Sequence, residues 1–322
     1  MYKVVSLFCG CGGADQGCVG DFVFNNIHYD KLPFEVIFAT DIDQKAINSY
    51  KLNFTSEQVL CADICGVDAK DIPDCDIVLG GFPCQSFSTV NPTKDPFDAR
   101  GNLYKEMVRV VKEKQPKAFI AENVKGFMTL KGGMIFKRVM KAFEEAGYRT
   151  YAKLINASYY GVPQKRERCI IVGIRNDIAA EFQFPVEVTK DNVVPLSVAV
   201  PKLAIEEEKY YFSQRAVEGM KNAKPNMKRG LWQKLDEPCL TVTSHLAKVS
   251  LNSRDPVLLV DAEKELYRRF TPREAARIQS FPDTFQFAGS ETDAYRQIGN
   301  AIAPVMFWHI ANQLANYLEE NA

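Results

Sequence analysis

The chain of 322 residues is 46% hydrophobic and 25% charged. That suits roughly two folded domains of about 100 to 200 residues and excludes disordered, collagen-like and coiled-coil chains. Forty cationic and 40 anionic side chains leave a formal charge of zero, so affinity for a polyanion must come from a local patch. The first residues lack the basic start and apolar stretch of a signal peptide, and no apolar run approaches the roughly 18 residues of a membrane span. The expected setting is cytoplasmic, with no membrane partner. Nine cysteines without framework spacing suit a reducing compartment. Cys9 and Cys11 stand too close for a zinc pair, Cys61 and Cys65 have no second pair at ribbon spacing, and histidines number three, so no metal is expected.

In the first half, short apolar runs at 4–8, 36–41, 76–81, 118–123 and 168–175 alternate with helical patterns. Leu103, Met107, Val110 and Val111 recur at helical spacing until Pro116, and Met134, Phe136, Val139, Met140 and Phe143 repeat the pattern. The rhythm predicts an α/β fold: a doubly wound, mostly parallel, Rossmann-like sheet. After Arg175 it stops, and prolines and broken strand-like pieces follow to about residue 267. A smaller, mainly β or irregular domain is expected there. Thr271-Pro272-Arg273-Glu274 then marks a helix start with N-cap, N1 proline and capping-box glutamate. An apolar helical pattern at 303–318 can return to the first sheet. The expected division is 1–176, completed by about 290–322, and 177–289 including the helix that follows the small domain.

Three strand ends carry polar chemistry. Leu7-Phe8-Cys9-Gly10-Cys11-Gly12-Gly13 follows the first strand, where missing side chains let a ligand approach the backbone. The third dinucleotide glycine is absent, since Asp15 stands where it would fall, so the loop is not a pyrophosphate fingerprint. The second strand ends in Asp41-Ile42-Asp43, placing a carboxylate for two ribose hydroxyls and Ile42 for an adenine face. Ala62-Asp63-Ile64 offers an acceptor for an adenine amino group. A plain tight turn and two helix caps would also satisfy these residues; together they point to S-adenosylmethionine.

The fourth strand leads into Gly80-Gly81-Phe82-Pro83-Cys84-Gln85-Ser86-Phe87-Ser88, and the fifth ends in Ala121-Glu122-Asn123-Val124. A thiol and an acid thus leave neighbouring strand ends on the ligand side of such a sheet. Each alone reads as a turn or a cap; both beside a cofactor loop read as chemistry. With them the sequence resembles the bacterial-type DNA cytosine-5 methyltransferases. The matching stretches, in order, are LFCGCGG, ATDID, ADI, GGFPCQSFS, DARGNLY, AENVKGF, QKRER, RRFTPREAARIQSFPD and RQIGNAIAP. They span nearly the whole chain outside 177–267.

The resemblance implies that Cys84, as thiolate, adds to C6 of a cytosine while Glu122 hydrogen-bonds N3 and the exocyclic amine, so that C5 can accept a methyl group. It implies that Arg168 contacts cytosine O2 and that Arg166 buttresses a loop and phosphates, the two sharing one face by strand alternation. Phe8, Gly10, Cys11, Gly13, Asp41, Ile42, Asp63, Ile64, Leu103, Asn300 and Ala301 form the implied cofactor set. Leu103 reads equally as core packing. Asn123 is expected to orient neighbouring backbone.

The target base in a duplex must be flipped out. Residues 85–100 fit a mobile loop that closes over DNA, carrying Ser86, Ser88 and Arg100 as candidate contacts with Gln164. Residues 213–235 hold six cations against Glu218 alone, among them Lys228 and Arg229, the candidate phosphate contacts. Thr241 and Thr243 lie in a Thr-containing element resembling the family's recognition region. Chain length from the glycine loop to Asp41 exceeds that of compact members, with 19–34 as the insertion. The expected partner is duplex DNA and the expected state a monomer, either with a cognate restriction endonuclease as genetic partner or as an orphan enzyme. A tRNA cytosine methyltransferase and an inactive DNA-binding regulator are the alternatives.

Overall fold

A computed structural model describes residues 1–55, 58–83, 103–223, 232–251 and 255–322. Seven strands form its central sheet: β1 (Tyr2–Leu7), β4 (Phe34–Asp41), β5 (Gln58–Cys61), β6 (Ile77–Gly80), β7 (Ala118–Val124), β8 (Tyr148–Asn156) and β10 (Glu167–Arg175). They lie in the order β5-β4-β1-β6-β7-β10-β8. The first five of that order run parallel, and β10 is antiparallel to both β7 and β8. Their near-continuous apolar runs follow from burial on both faces.

One face is covered by α1 (Gly13–Val19), α2 (Gln44–Asn53) and α8 (Pro304–Asn321), with Ile47, Tyr50, Phe307 and Leu314 packed among Val4, Ala39 and Ile120. The other is covered by α3 (Leu103–Lys114) and α4 (Met134–Glu145), whose Met107, Val111, Val139 and Phe143 pack on Val5, Val78 and Phe119. The helical spacings at 103–111 and 134–143 thus fall on sheet-covering helices, and the last chain segment returns to the first sheet. α1 and α8 touch backbone to backbone: a Cβ at Gly17 would lie 2.4 Å from the Pro304 carbonyl oxygen.

The segment 19–34 contains a hairpin, β2 (Phe22–Phe24) and β3 (Ile27–Tyr29), turned by Asn25 and Asn26, both with positive φ. Two such residues make the tight turn that matches strand twist. Phe22 stacks on Tyr29 at 5.0 Å, and Trp308 Nε1 donates to the Asp30 carbonyl at 2.8 Å, so this segment is pinned against α8.

Beyond β10 lie α5 (Gln214–Lys221) and a three-stranded sheet of β11 (Trp232–Gln233), β13 (Val257–Asp261) and β14 (Leu266–Arg268). The two-residue strand β12 (Cys239–Leu240) pairs with β9 (Gln164–Lys165) in a separate two-stranded sheet and so ties this region to the chain just before β10. α6 (Pro272–Ile278) begins with the full capping box of Thr271 and Glu274, and α7 (Glu291–Asn300) with that of Ser290 and Asp293. A third core joins Cys11 to Leu196, Val242, Phe281 and Ile298. No helix among the described residues is long and apolar enough to cross a membrane.

Candidate active site

Strand register brings the polar ends to one level. Leu7 pairs with Thr40 on one side and Gly80 on the other, Gly80 pairs with Ala121, and Asp41 pairs with Cys61. The residues that follow these positions therefore emerge along one edge of the sheet. Phe8 turns there with φ 56 and Gly10 with φ 55. Cys9 N–H donates to the Thr40 carbonyl at 3.0 Å and Gly10 N–H to Asp41 Oδ2 at 2.9 Å.

Asp41 is held from two sides, since its Oδ1 accepts Asp43 N–H at 2.8 Å. Burial pushes its carboxyl up, while these two amides draw it down. A carboxylate has about four acceptor positions, which leaves capacity for a diol. A Cβ at Gly10 would meet nothing within 4 Å, and among the described residues the buried Thr40 Oγ1 has no hydrogen-bond partner. Open space over a glycine, an acid with spare acceptors and a solitary buried hydroxyl fit a nucleoside. Asp63 is exposed and caps the turn Ile64–Gly66 through Cys65 N–H at 3.0 Å, also with acceptor capacity to spare.

Other members of the expected cofactor set have mixed surroundings. Ile42 is 70% exposed, whereas Ile64 is buried in the core and Phe8 and Leu103 are partly buried against it. The Cys11 side chain is buried, and burial pushes its thiol up to about 12. Its backbone is therefore the part left for a ligand. Gly13 is bare for a packing reason: a Cβ there would lie 2.4 Å from the Ile302 carbonyl oxygen. Asn300 is exposed at the end of α7, and Ala301 follows it.

On β7, Glu122 meets Arg168 of β10, Nε to Oε1 at 2.8 Å, with both side chains nearly buried. A Cβ at Gly81 would stand 3.5 Å from Glu122 Oε2. The acid thus faces the chain three residues before Cys84. Asn123 fixes that chain, donating Nδ2 to the Phe82 carbonyl at 3.0 Å while its Oδ1 accepts Val124 N–H at 2.9 Å. Cys84, Ser86, Ser88, Arg100, Lys228 and Arg229 lie outside the described residues.

Two expectations need correction. Gln164 is wholly buried, donating to the Gln279 side chain at 2.5 Å and accepting Val242 N–H at 2.9 Å, so it cannot touch DNA from there. Arg166 is 2% exposed and donates to the carbonyls of Val242, Gly299 and Ala301 at 3.2, 3.1 and 2.9 Å. It buttresses backbone and reaches no phosphate. Burial and the neighbouring Arg168 push its guanidinium well below its ordinary value, with Glu122 opposing. Thr241 Oγ1 donates to the Lys165 carbonyl at 3.0 Å, and Thr243 Oγ1 to Asp255 at 2.6 Å.

Sequence reasoning missed Asp15, Tyr50 and Gln279. Asp15 is fully buried beneath the glycine loop, where Ser6 Oγ and Tyr50 OH each donate to it at 3.1 Å. Burial pushes its carboxyl up to about 6 against those hydrogen bonds. Its position in the first turn of α1 was the available signal, favourable to the helix dipole.

Residues 2–316 match the C-5 cytosine-specific DNA methylase family. The chain belongs to that family. It is 36% identical to the Type II methyltransferase M1.ScrFI of Lactococcus lactis subsp. cremoris, over 99% of this chain and 79% of that one. It is 31% identical to M.FnuDI of Fusobacterium nucleatum, over 99% and 95%. The fold is similar to that of S. pombe Dnmt2 methyltransferase, with a TM-score of 0.76 at 20% identity over 99% of each chain. As a DNA (cytosine-5) methylase the protein transfers a methyl group to C5 of cytosine in DNA, and the family implies S-adenosylmethionine as donor. No group of side chains able to hold a metal is found among the described residues.

Proposed function

We propose that the protein is the modification methyltransferase of a restriction–modification pair, acting as a cytoplasmic monomer on a specific duplex sequence with a cognate endonuclease as genetic partner. The reading extends to this chain what the Type II names of its relatives say of them. The large domain, 1–176 completed by about 290–322, carries the chemistry, and 177–289 reads DNA.

The observation that carries the site assignment is the Glu122–Arg168 pair at the level where β6 runs toward Cys84. Cys84 adds as thiolate to C6 of the flipped cytosine, forming a C–S bond and moving electron density toward C5 and N3. Glu122, held by Arg168, takes up the hydrogen-bonding demand at N3 and the exocyclic amine, so charge is not stranded on the ring. Arg168 retains donors for O2. After methylation the C5 proton leaves to a base, water included, and the C–S electrons return to sulfur as Cys84 is expelled.

S-Adenosylmethionine supplies an electrophilic methyl group on a sulfonium. The residues to hold it are the backbone of Gly10, Cys11 and Gly13, the carboxylates of Asp41 and Asp63, the apolar Phe8, Ile42, Ile64 and Leu103, and Asn300 with Ala301. Ser86, Ser88, Arg100, Lys228, Arg229, Thr241 and Thr243 remain as DNA contacts.

Tritiated donor offered with duplex DNA and with tRNA in parallel tests the substrate, and bisulfite sequencing of DNA from expressing cells gives the site. Cys84→Ala is expected to abolish transfer while leaving donor affinity within about threefold of wild type, because the thiol serves chemistry alone. Turnover by that variant overturns the mechanism.

A further inference from the structure

Buried polar groups join the recognition segment to the end of α7 by several routes. Gln279 caps the C-terminus of α6 and is wholly buried. Its Oε1 accepts Gln164 Nε2 at 2.5 Å, and its Nε2 donates to the Ala301 carbonyl at 2.5 Å. Gln164 in turn accepts Val242 N–H at 2.9 Å. Arg166 spans the same gap, from the Val242 carbonyl to those of Gly299 and Ala301. Backbones also touch directly: a Cβ at Gly299 would lie 2.2 Å from Ser244 N and 2.4 Å from the Thr243 carbonyl oxygen. The next residue after Gln279, Ser280, accepts Val305 N–H at 3.1 Å and so fixes the far side of the turn between α7 and α8.

We infer that Gln279 is a positioning residue that couples methyl-donor binding to DNA binding by holding residues 242–244 and 299–301 as one unit. This rests on the reading of Thr241 and Thr243 as DNA contacts and of Asn300 and Ala301 as cofactor contacts. Gln279 touches neither ligand; it acts through Gln164 and the Ala301 carbonyl.

A buried amide left without a partner is costly, so these hydrogen bonds are either made or broken and do not stretch gradually. DNA bound to residues 241–243 favours the arrangement that fixes Val242, and through Gln164 and Gln279 the same arrangement fixes Ala301. A donor contacting Asn300 and Ala301 then finds its site preformed. Each ligand thereby raises the other's affinity by the same factor, as linkage requires.

The test uses the full chain and S-adenosylhomocysteine, which cannot transfer a methyl group. Its dissociation constant is measured by calorimetry with and without saturating duplex DNA from a site that bisulfite sequencing has identified. Wild type is expected to bind it at least about 5-fold more tightly with DNA, a typical coupling. Gln279→Met, similar in length but without the hydrogen bonds, is expected to reduce that ratio below about 2 and to leave the DNA-free constant within about twofold. Gln279→Glu keeps the acceptor for Gln164 and loses the donor to Ala301, so it also lowers the ratio and serves where Met prevents folding. A general loss of stability would not change the ratio selectively. A wild-type ratio near 1, or an unchanged ratio in the variants, overturns the inference. Methylation by wild type is scored separately, so an active enzyme with uncoupled ligands overturns the coupling alone.

Discussion

The carboxyl of Asp15 shows how burial sets a residue's behaviour beneath the cofactor loop. Its value rises from 3.8 to about 6, chiefly through desolvation. A folded state that prefers the protonated form is favoured fully below about pH 4. That advantage is lost as pH rises through 6, and above it the buried charge weighs constantly on the fold. Asp15→Asn removes this dependence while keeping a group able to bond Ser6 and Tyr50. The variant is expected to gain stability relative to wild type between pH 4 and pH 8, on the order of 3 kcal/mol for about two pKa units. Urea unfolding at both pH values measures the gain; parallel stability curves would contradict it. Legibility at this scale followed the chemistry. Glu122 could be expected at this edge because strand ends in a parallel sheet gather there, whereas Arg168 was implied by the resemblance and stands beside it because β10 runs antiparallel to β7. Gln164 and Arg166 could not, since alternation gives the face on which a residue lies but not which distant backbone covers it. Here Val242, Gly299 and Ala301 cover it.

At the scale of elements, α6 is fixed at both ends by buried polar contacts. Glu274 accepts Arg268 Nη1 and Nη2 at 2.7 Å each, accepts Thr271 N–H at 2.8 Å, and completes the capping box. Arg268 is 0% exposed. Removing one partner of such a pair strands the other charge and costs about 3 to 5 kcal/mol, against about 1 for a helix cap alone. Glu274→Gln is therefore expected to lower the urea midpoint well beyond the effect of Thr271→Ala, with the m-value unchanged. Equal shifts would place the whole contribution in the cap. The box itself was plain in the sequence because its spacing is local, and the central strands were plain from their apolar runs. The reversal of β10 was not, because an apolar run carries no direction. The hairpin at 22–29 left a weaker signal in Asn25-Asn26, two residues that tolerate positive φ. β9 and β12, two residues each, are too short for any periodicity and exist because Gln164 and Cys239 are buried together.

For the molecule as a whole, zero net charge means that DNA is not drawn to it indiscriminately, and phosphate binding falls to local cations. Several cations outside 224–231 are already paired: Lys165 with Glu237 at 3.1 Å, Lys125 with Glu167 at 2.8 Å and Lys221 with Glu265 at 2.5 Å. An ion-paired lysine releases fewer counterions from a phosphate, because its own partner must first be displaced. Lys228 and Arg229 lie outside the described residues, yet they fall in the basic stretch 213–235 of the sequence. Replacing both by glutamine is expected to reduce the slope of log affinity against log salt by roughly 1 to 2, near 0.9 for each phosphate no longer neutralised. Sequence preference is expected to stay the same, because flexible cations on phosphates stabilise every complex while base edges are read by fixed groups elsewhere. Binding to cognate and scrambled duplexes across a salt series measures both quantities. A slope equal to wild type would make the pair part of a solvated face. A changed preference with an unchanged slope would move it among the residues that read bases.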